Sequence, residues 1–117
     1  MEHETQFWQG WMNVIETHKI ILDRPKGSRH PRYPELIYPL DYGYIENTTA
    51  SDGDGIDVWS GTLGNQLLTG ILCTFDKIKR DAEIKLLIGC TTADIQLIQD
   101  FHNEMLTLFI PKPQVPS

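Results

Sequence analysis

The sequence predicts a mainly β domain with flanking α-helices, in which short strands form a small, closed or half-closed antiparallel barrel. Three observations predict this class: five short β-type runs, two segments with helical spacing of apolar residues, and no internal repeat or linker. The chain has 117 residues and is 40% hydrophobic, so it can bury one core without disulfide staples. We therefore expect residues 1–117 to form a single domain.

The first element is an amphipathic helix, predicted over residues 5–18. Its apolar side chains fall on one helical stripe, which consists of Phe7, Trp8, Trp11, Met12 and Ile15. Because Gly10 weakens an isolated helix, this helix must dock against a larger surface. Packing on the domain's own core is the favoured role, and a subunit contact through the two tryptophans is the alternative.

Five strands are predicted after this helix, each by a run of β-branched, aromatic or alternating apolar residues. They cover residues 19–23, 42–46, 56–60, 67–75 and 83–90. A second helix begins after Thr91, which suits an N-cap, and its apolar face consists of Ile95, Ile98, Phe101 and Met105. An irregular tail is predicted from its prolines, which are Pro111, Pro113 and Pro116.

Charge and composition exclude several classes of partner. The net charge of −6 disfavours nonspecific binding to nucleic acid or to an anionic membrane. The acidic N-terminus and the lack of a long apolar run predict a cytoplasmic protein without a secretory signal. Cys73 and Cys90 are expected to be buried, reduced thiols, and the four histidines show no spacing of a metal site.

The segment from Asp52 to Asp57 is the chemical centre of the sequence. It places three carboxylates, Asp52, Asp54 and Asp57, within six residues, and two glycines let the backbone turn sharply. Converging carboxylates repel one another unless a hard cation compensates their charge, which points to Mg²⁺ or Ca²⁺. A helix–loop–helix Ca²⁺ site is excluded, because Ile56 and Leu63 would fall at ligand positions. A solvated turn between strands is the alternative.

Two segments before this loop carry groups that suit an anionic ligand. Residues 38–45 contain three tyrosine hydroxyls and Gly43, which permits close backbone approach. Residues 23–32 contain four cations that could meet the same anion, namely Arg24, Lys26, Arg29 and Arg32. A bound metal and this basic segment would together make one pocket positive in an acidic chain.

These segments resemble the soluble, Mg²⁺-dependent inorganic pyrophosphatases over roughly residues 19–90. The family signature Asp-x-Asp-Pro-x-Asp-Val matches residues 52–58, with Gly55 in place of the proline, and the family's Tyr-Pro-x-x-Tyr-Gly matches residues 38–43. The resemblance implies an OB-like five-stranded β-barrel, hydrolysis of pyrophosphate by metal-activated water, and Mg²⁺ as the cofactor. We expect a homo-oligomer whose ligand is a small molecule.

The resemblance also implies a set of metal ligands. Asp52, Asp57 and Asp81 would share the tighter metal sites. Asp76 would help to bind a further Mg²⁺, and Asp23 matches an acid that assists metal and water binding. From the residues alone, the stretch from Asp76 to Asp81 is equally an ordinary charged turn.

Catalytic and substrate-binding roles follow from the same match. Asp54 would be the general base, and Tyr42 would be a tyrosine of the active site. Arg32 falls where the family has a phosphate-contacting lysine. The other expected substrate contacts are Arg29, Lys26, Tyr38 and Lys85, of which Lys85 lies two positions later than a second family lysine.

The chain also departs from the family pattern. Between Arg32 and Tyr38 it lacks a strand that carries a phosphate-binding arginine, so that Arg29 or Arg24 would have to replace it. The last helix lacks the family's Tyr-Lys pair. Three functions therefore stay open: a compact pyrophosphatase, a hydrolase of another phosphoanhydride such as a nucleotide or organic diphosphate, and a non-catalytic barrel that binds a phosphorylated ligand.

Overall fold

The computed structural model describes residues 2–114 and has two helices and one six-stranded sheet. In chain order the elements are α1 (Glu2–Thr17), β1 (Ile20–Arg24), β2 (Asp41–Ile45), β3 (Ile56–Ser60), β4 (Leu68–Asp76), β5 (Asp81–Ile88), α2 (Thr92–Phe101) and β6 (Leu106–Pro111). The predicted class, mainly β with flanking helices, is confirmed. The sheet is consistent with a small OB-like fold, although it has six strands and is not closed. Neither described helix is long and apolar enough to cross a membrane.

The strand order within the sheet is β1-β2-β3-β5-β4-β6, and its central pair is parallel. All other neighbouring strands are antiparallel. In the parallel pair, Val58 of β3 lies opposite Leu86 of β5. Because side chains alternate between the two faces of a strand, the preceding residues, Asp57 and Lys85, lie side by side on the opposite face.

Each face of the sheet is covered by one helix. Helix α1 buries Trp8 and Ile15 against one face, with Trp11 and Met12 partly buried beside them. Intramolecular packing of the predicted stripe is thereby confirmed for these residues, whereas Phe7 is exposed. Helix α2 buries Ile98 against the other face. Leu86 contributes to the first core and Leu87 to the second, as the alternation of a strand requires.

The end of the chain differs from the prediction. The second helix ends at Phe101 rather than continuing to Met105, and His102 is its C-cap. A turn then leads into β6, which pairs with β4 from Leu106 to Pro111. The sequence did not predict this strand, although its alternating Leu, Thr and Phe residues favour one. Of the predicted irregular tail, Pro111 ends β6, and residues 112–114 have no regular secondary structure. Pro116 lies outside the described residues.

The start of α2 is confirmed and is tied to the sheet. Thr91 caps the helix by accepting a hydrogen bond from the Asp94 backbone N–H at 3.0 Å. The buried Asp94 carboxylate accepts from the backbone N–H of Thr91 and from both the backbone N–H and the hydroxyl of Thr62. Burial alone would raise the pKa of Asp94, but these hydrogen bonds lower it. Helix α2 is thereby fixed to the turn that follows β3.

The two cysteines are free thiols, as the sequence predicts. Cys90 is buried and Cys73 is half-buried. Burial raises the pKa of the Cys90 thiol to about 12, so this side chain stays protonated and unreactive at neutral pH.

Candidate active site

The sheet face under α2 changes from apolar to polar along its strands. Its apolar part contains Trp59, Leu72 and Leu87. Asp57 lies two positions before Trp59 on β3, and Lys85 lies two positions before Leu87 on β5, so both belong to the same face. The cross-strand partners of Trp59 and Asp57 on β2 share this face. We call this continuation the polar face; it consists of Tyr42, Tyr44, Asp57, Asp81, Glu83 and Lys85.

Lys85 is the centre of the polar face. Its side chain is buried, with 4% of the residue exposed. Its ammonium Nζ lies 2.9 Å from Oδ2 of Asp57, 3.2 Å from Oε2 of Glu83 and 3.1 Å from Oη of Tyr42. An ammonium group has three N–H donors, and these three oxygens use all of them.

The protonation states of this cluster follow from burial and from the pairing. Burial raises the pKa of Tyr42, which is therefore a neutral phenol at physiological pH. Burial alone would lower the pKa of Lys85, but Tyr42 and Asp57 raise it above its ordinary value. Because Tyr42 is neutral, the anions that hold the Lys85 cation are Asp57 and Glu83.

A pocket of about 730 Å³ opens beside this cluster. Tyr42 and Lys85 form part of its wall, together with Arg24 and Tyr38. The Arg24 Nη1 donates to Oη of Tyr38 at 2.7 Å. Burial alone would lower the pKa of Arg24, but the Tyr38 hydroxyl raises it, so the guanidinium stays charged. The cations of Arg24 and Lys85 therefore lie beside the hydroxyls of Tyr38 and Tyr42, a combination that suits an anionic oxyacid. The lining also includes Lys79 and the carboxylates of Glu35, Asp76 and Glu104.

Aromatic side chains form another wall of the pocket. Tyr38 contacts Phe101 with ring centroids 4.8 Å apart, and Tyr42 contacts Trp59 at 4.7 Å. The Trp59 Nε1–H donates to Nε2 of His102 at 3.3 Å, which leaves the proton of a neutral imidazole on Nδ1. Burial, with a smaller contribution from the Lys85 charge, lowers the pKa of His102 to about 3. His102 is therefore neutral at physiological pH.

Acidification is expected to destabilise the fold through His102. The folded protein holds this imidazole neutral down to about pH 3, whereas the unfolded chain takes up the proton below about pH 6.5. Stability is therefore lost as the pH falls from about 6.5 towards 3, by about 2 kcal/mol at pH 5. Urea denaturation at pH 7 and pH 5 measures this loss.

The matched variant is His102→Gln, whose amide oxygen can accept from Trp59 but which does not titrate. All other titrating groups are common to both proteins, so the difference between their pH dependences isolates His102. The same loss of stability in both proteins would contradict the assignment.

The loop between β2 and β3 holds two of its three predicted carboxylates in solvent. Asp52 and Asp54 are exposed, and Oδ1 of Asp52 accepts the backbone N–H of Asp54 at 3.0 Å. Only Asp57, at the start of β3, reaches the Lys85 cluster. The two strands predicted on either side of this loop are confirmed as β2 and β3, and they pair antiparallel.

The other predicted metal ligands lie on separate elements. Asp76 and Asp81 face each other across the β4–β5 hairpin. Asp76 accepts the backbone N–H groups of Ile78 and Lys79 at 2.9 and 3.0 Å, so it stabilises this turn while it lines the pocket. Asp23 is exposed on β1.

Carboxylate oxygens suit a hard divalent cation, but the predicted carboxylate ligands lie on separate elements of this structure. Within residues 2–114 no group of three or more His, Cys, Asp or Glu side chains comes together in a way that could hold a metal ion. Asp57 is occupied by the Lys85 ammonium. The donor chemistry of the loop and hairpin therefore fits Mg²⁺, whereas this geometry lacks an assembled ligand set.

The cations of the basic segment divide between the pocket and the surface. Arg24 lines the pocket, whereas Lys26, Arg29 and Arg32 are exposed and do not line it. The Arg29 guanidinium donates to the carbonyl of Pro34 at 3.0 Å. The segment folds back as a short excursion that delivers Tyr38 to the pocket, with Arg29 paired to Ile37.

Comparison with known proteins places this chain in a family. The family model described as inorganic pyrophosphatase matches residues 13–101, which includes the polar face, the acidic loop and the aromatic wall up to Phe101. The chain belongs to the inorganic pyrophosphatase family. The resemblance carried by the acidic loop and the tyrosine segment is thereby confirmed.

Individual pyrophosphatases match shorter stretches. An inorganic pyrophosphatase of Corynebacterium glutamicum is 45% identical over 42 residues, which cover 36% of this chain and 23% of that protein. One from Geobacillus stearothermophilus is 33% identical over 70 residues, which cover 53% of this chain and 41% of that protein. The chain thus spans less than half the length of these relatives.

The structure explains one departure from the family signature. Gly55 stands where pyrophosphatases usually have proline, and a Cβ at this position would lie 2.8 Å from Cδ2 of Tyr44. The same Cβ would lie 3.2 Å from the carbonyl oxygen of Ile45. Any side chain at position 55 would therefore displace Tyr44, which belongs to the polar face.

Three groups of this candidate site have no role in the sequence prediction. Glu83, Trp59 and His102 all contact the predicted residues or line the pocket. Glu83 was detectable, because it alternates with Asp81 and Lys85 on one strand. The pairing of Trp59 with His102 spans 43 positions and has no local sequence signal.

Proposed function

We propose that this chain hydrolyses inorganic pyrophosphate to two phosphates in a Mg²⁺-dependent reaction. The observation that carries the proposal is a carboxylate–lysine cluster at the wall of a pocket that also presents a guanidinium and two tyrosine hydroxyls. Asp57 and Lys85 meet at the wall of a pocket that also presents Arg24, Tyr38 and Tyr42. Membership of the inorganic pyrophosphatase family supports the substrate.

The residues of the pocket would bind the substrate through complementary charge. Pyrophosphate is a compact polyanion, and Arg24 offers it the guanidinium N–H groups that Tyr38 does not use. The Tyr42 oxygen accepts from Lys85, and its own hydroxyl can donate to an anionic oxygen, either that of Asp57 or one of the substrate. Arg32, Arg29 and Lys26 stay predicted contacts for a substrate phosphate that extends beyond the pocket.

The metal ligands would come from the acidic loop and hairpin, namely Asp52, Asp57, Asp76, Asp81 and Asp23. When bound, Mg²⁺ supplies neutralisation of the phosphate charge and lowers the pKa of coordinated water. Asp54 would accept the proton of the attacking water, since its carboxylate is exposed and free to reach a substrate. We also propose a homo-oligomer in the cytoplasm, as the sequence predicts.

A second candidate substrate is an organic diphosphate. The pocket of about 730 Å³ exceeds what pyrophosphate fills, and part of its wall is apolar, namely Leu36, Ile78, Phe101 and Met105. An apolar wall of this kind would bind the organic group of a larger phosphoanhydride. This candidate places the same phosphates against Arg24 and Lys85.

Phosphate release from pyrophosphate, with Mg²⁺ or with excess chelator, tests the proposed function. The Asp54→Asn variant, purified in the same way, controls for a contaminating host pyrophosphatase. Mg²⁺-dependent release by the wild type and not by the variant supports the proposal. Release from nucleoside or organic diphosphates alone would favour the second candidate, and no release from any phosphoanhydride would contradict both.

Arg24→Ala is expected to lower kcat/KM for pyrophosphate by about 10–100-fold, because one charge-assisted phosphate contact contributes about 1.5–3 kcal/mol. Steady-state kinetics measure this effect. Arg32→Ala is the matched comparison, since it removes the same group from an exposed position outside the pocket wall. A loss in Arg32→Ala alone would assign the phosphate contact to Arg32 and contradict the assignment to Arg24.

A further inference from the structure

The buried Lys85 ammonium is bound to Asp57, a carboxylate that is also a predicted ligand of the divalent cation. It is the one buried lysine among residues 2–114. Its contacts to Asp57 and Glu83 are ion pairs of 2.9 and 3.2 Å, and its third donor is bound to Tyr42. The two carboxylates are therefore neutralised by a cation that belongs to the chain itself.

The register of the sheet makes this pairing an intrinsic feature of the fold. Asp57 and Lys85 are neighbours in the parallel β3–β5 pair, one position before Val58 and Leu86. Glu83 lies two positions earlier on the same strand and therefore on the same face. All of these strands are anchored by the buried cores on either side, so the ammonium is aimed at Asp57 by the backbone.

A metal ion bound to the Asp57 carboxylate would repel this ammonium. The ammonium is bound to Oδ2 of Asp57, so a divalent cation on either oxygen of the same carboxylate would lie close to it, and like charges at such distances repel strongly in a partly buried site. Lys85 also lines the open pocket, so its flexible four-carbon side chain has space to move away from the carboxylate.

We propose that Lys85 competes with the divalent metal for Asp57, so that metal binds this carboxylate only when the Lys85 ammonium leaves it. The inference rests on the proposed metal-dependent function and deepens it. It gives Lys85 a positioning role in place of a permanent phosphate contact: the lysine neutralises the site in the absence of metal and is released into the pocket when metal binds.

Mn²⁺ binding, followed by electron paramagnetic resonance without pyrophosphate, tests the competition. Lys85→Met removes the competing charge and retains most of the side-chain volume, and we expect it to bind Mn²⁺ about tenfold or more tightly than the wild type. Lys79→Met is the control, because Lys79 lines the same pocket but is exposed and forms no ion pair with Asp57. It should change the affinity by about twofold at most.

The double variant Lys85→Met/Asp57→Asn locates the effect. If Asp57 is the contested ligand, the gain from Lys85→Met should disappear in this background. Equal or weaker Mn²⁺ binding by Lys85→Met, an equal gain in Lys79→Met, or no Mn²⁺ binding by any of these proteins would overturn the proposal.

A measurement on the wild type keeps the proposal testable if Lys85→Met does not fold. Nuclear magnetic resonance of the lysine side-chain NH₃⁺ groups should show one signal protected from solvent exchange, because one lysine is buried. Saturation with Mg²⁺ is expected to remove or shift that signal. A signal that stays unchanged at saturating Mg²⁺ would overturn the competition. Neither the Mn²⁺ binding measurement nor the lysine NH₃⁺ signal involves pyrophosphate. A chain that fails to hydrolyse pyrophosphate would therefore refute the proposed function, while the competition between Lys85 and the metal would still be tested.

Discussion

Asp54→Asn is expected to lower kcat for pyrophosphate by about 10²–10⁴-fold, the usual contribution of a general base. Asn keeps the size of the side chain but cannot accept a proton from water. Because the Asp54 side chain is exposed, its replacement should leave the unfolding midpoint close to that of the wild type. Steady-state kinetics at saturating Mg²⁺ and thermal denaturation measure the two quantities.

Asp57→Asn is the informative comparison for this variant. It removes the charge that faces a buried lysine at 2.9 Å, so it should destabilise the fold as well as alter metal affinity. Asp54→Asn should bind Mn²⁺ with an affinity within about twofold of the wild type, because the loss of a general base slows the reaction without removing a metal ligand. A wild-type kcat in Asp54→Asn, or equal loss of metal binding in both variants, would contradict the division of roles.

Local patterns predicted most of the fold because they report burial directly. The aromatic stripe of α1 and the alternation in β2 to β5 each reflect one buried face, and the structure buries those faces. Strand β6 was missed because Met105 continues the helical spacing of α2, so the helix and strand patterns overlap. Whether the sheet closes depends on pairing between its two edge strands, which periodicity does not encode.

The site could be predicted where its chemistry is local. Tyr38, Tyr42 and Asp57 were named from short motifs, and Lys85 from a nearby family position. Tyr38, Tyr42 and Lys85 line one pocket, and Asp57 is bound to Lys85. Their partners could not be predicted in the same way. The contact of Lys85 with Asp57 joins residues 28 positions apart through a parallel register, which only the assembled sheet defines.

The position of Arg24 also required the three-dimensional structure. Its contact with Tyr38 depends on the excursion between β1 and β2, which returns the chain to the end of β1. In the sequence, Arg24 is one of four cations with similar surroundings. Only burial separates it from the exposed Arg29 and Arg32, and the burial of a single cation at the end of a strand has no local sequence pattern.

Gly43→Ala is expected to destabilise the protein by about 3 kcal/mol or more and to lower the melting temperature by roughly 10–20 °C. Gly43 lies in the centre of β2, where an added Cβ would meet the carbonyl oxygen of Ile21 and lie 2.8 Å from Cα of Leu22. Both atoms belong to the backbone of β1, so no side-chain rotation can relieve the clash. The irregular pairing between Ile21 and Arg24 lets β1 approach Gly43 this closely.

Gly10→Ala provides the control with the same change of side chain. Gly10 lies within α1, and a Cβ there would meet no atom within 4 Å. Because alanine favours a helix over glycine by about 1 kcal/mol, this variant should be slightly more stable than the wild type. Thermal and urea denaturation of the two variants therefore give shifts of opposite sign. A melting temperature of Gly43→Ala equal to that of the wild type would contradict this prediction. It would mean that β1 shifts readily and that the fold does not require its close approach to β2, the strand that carries Tyr42 and Tyr44.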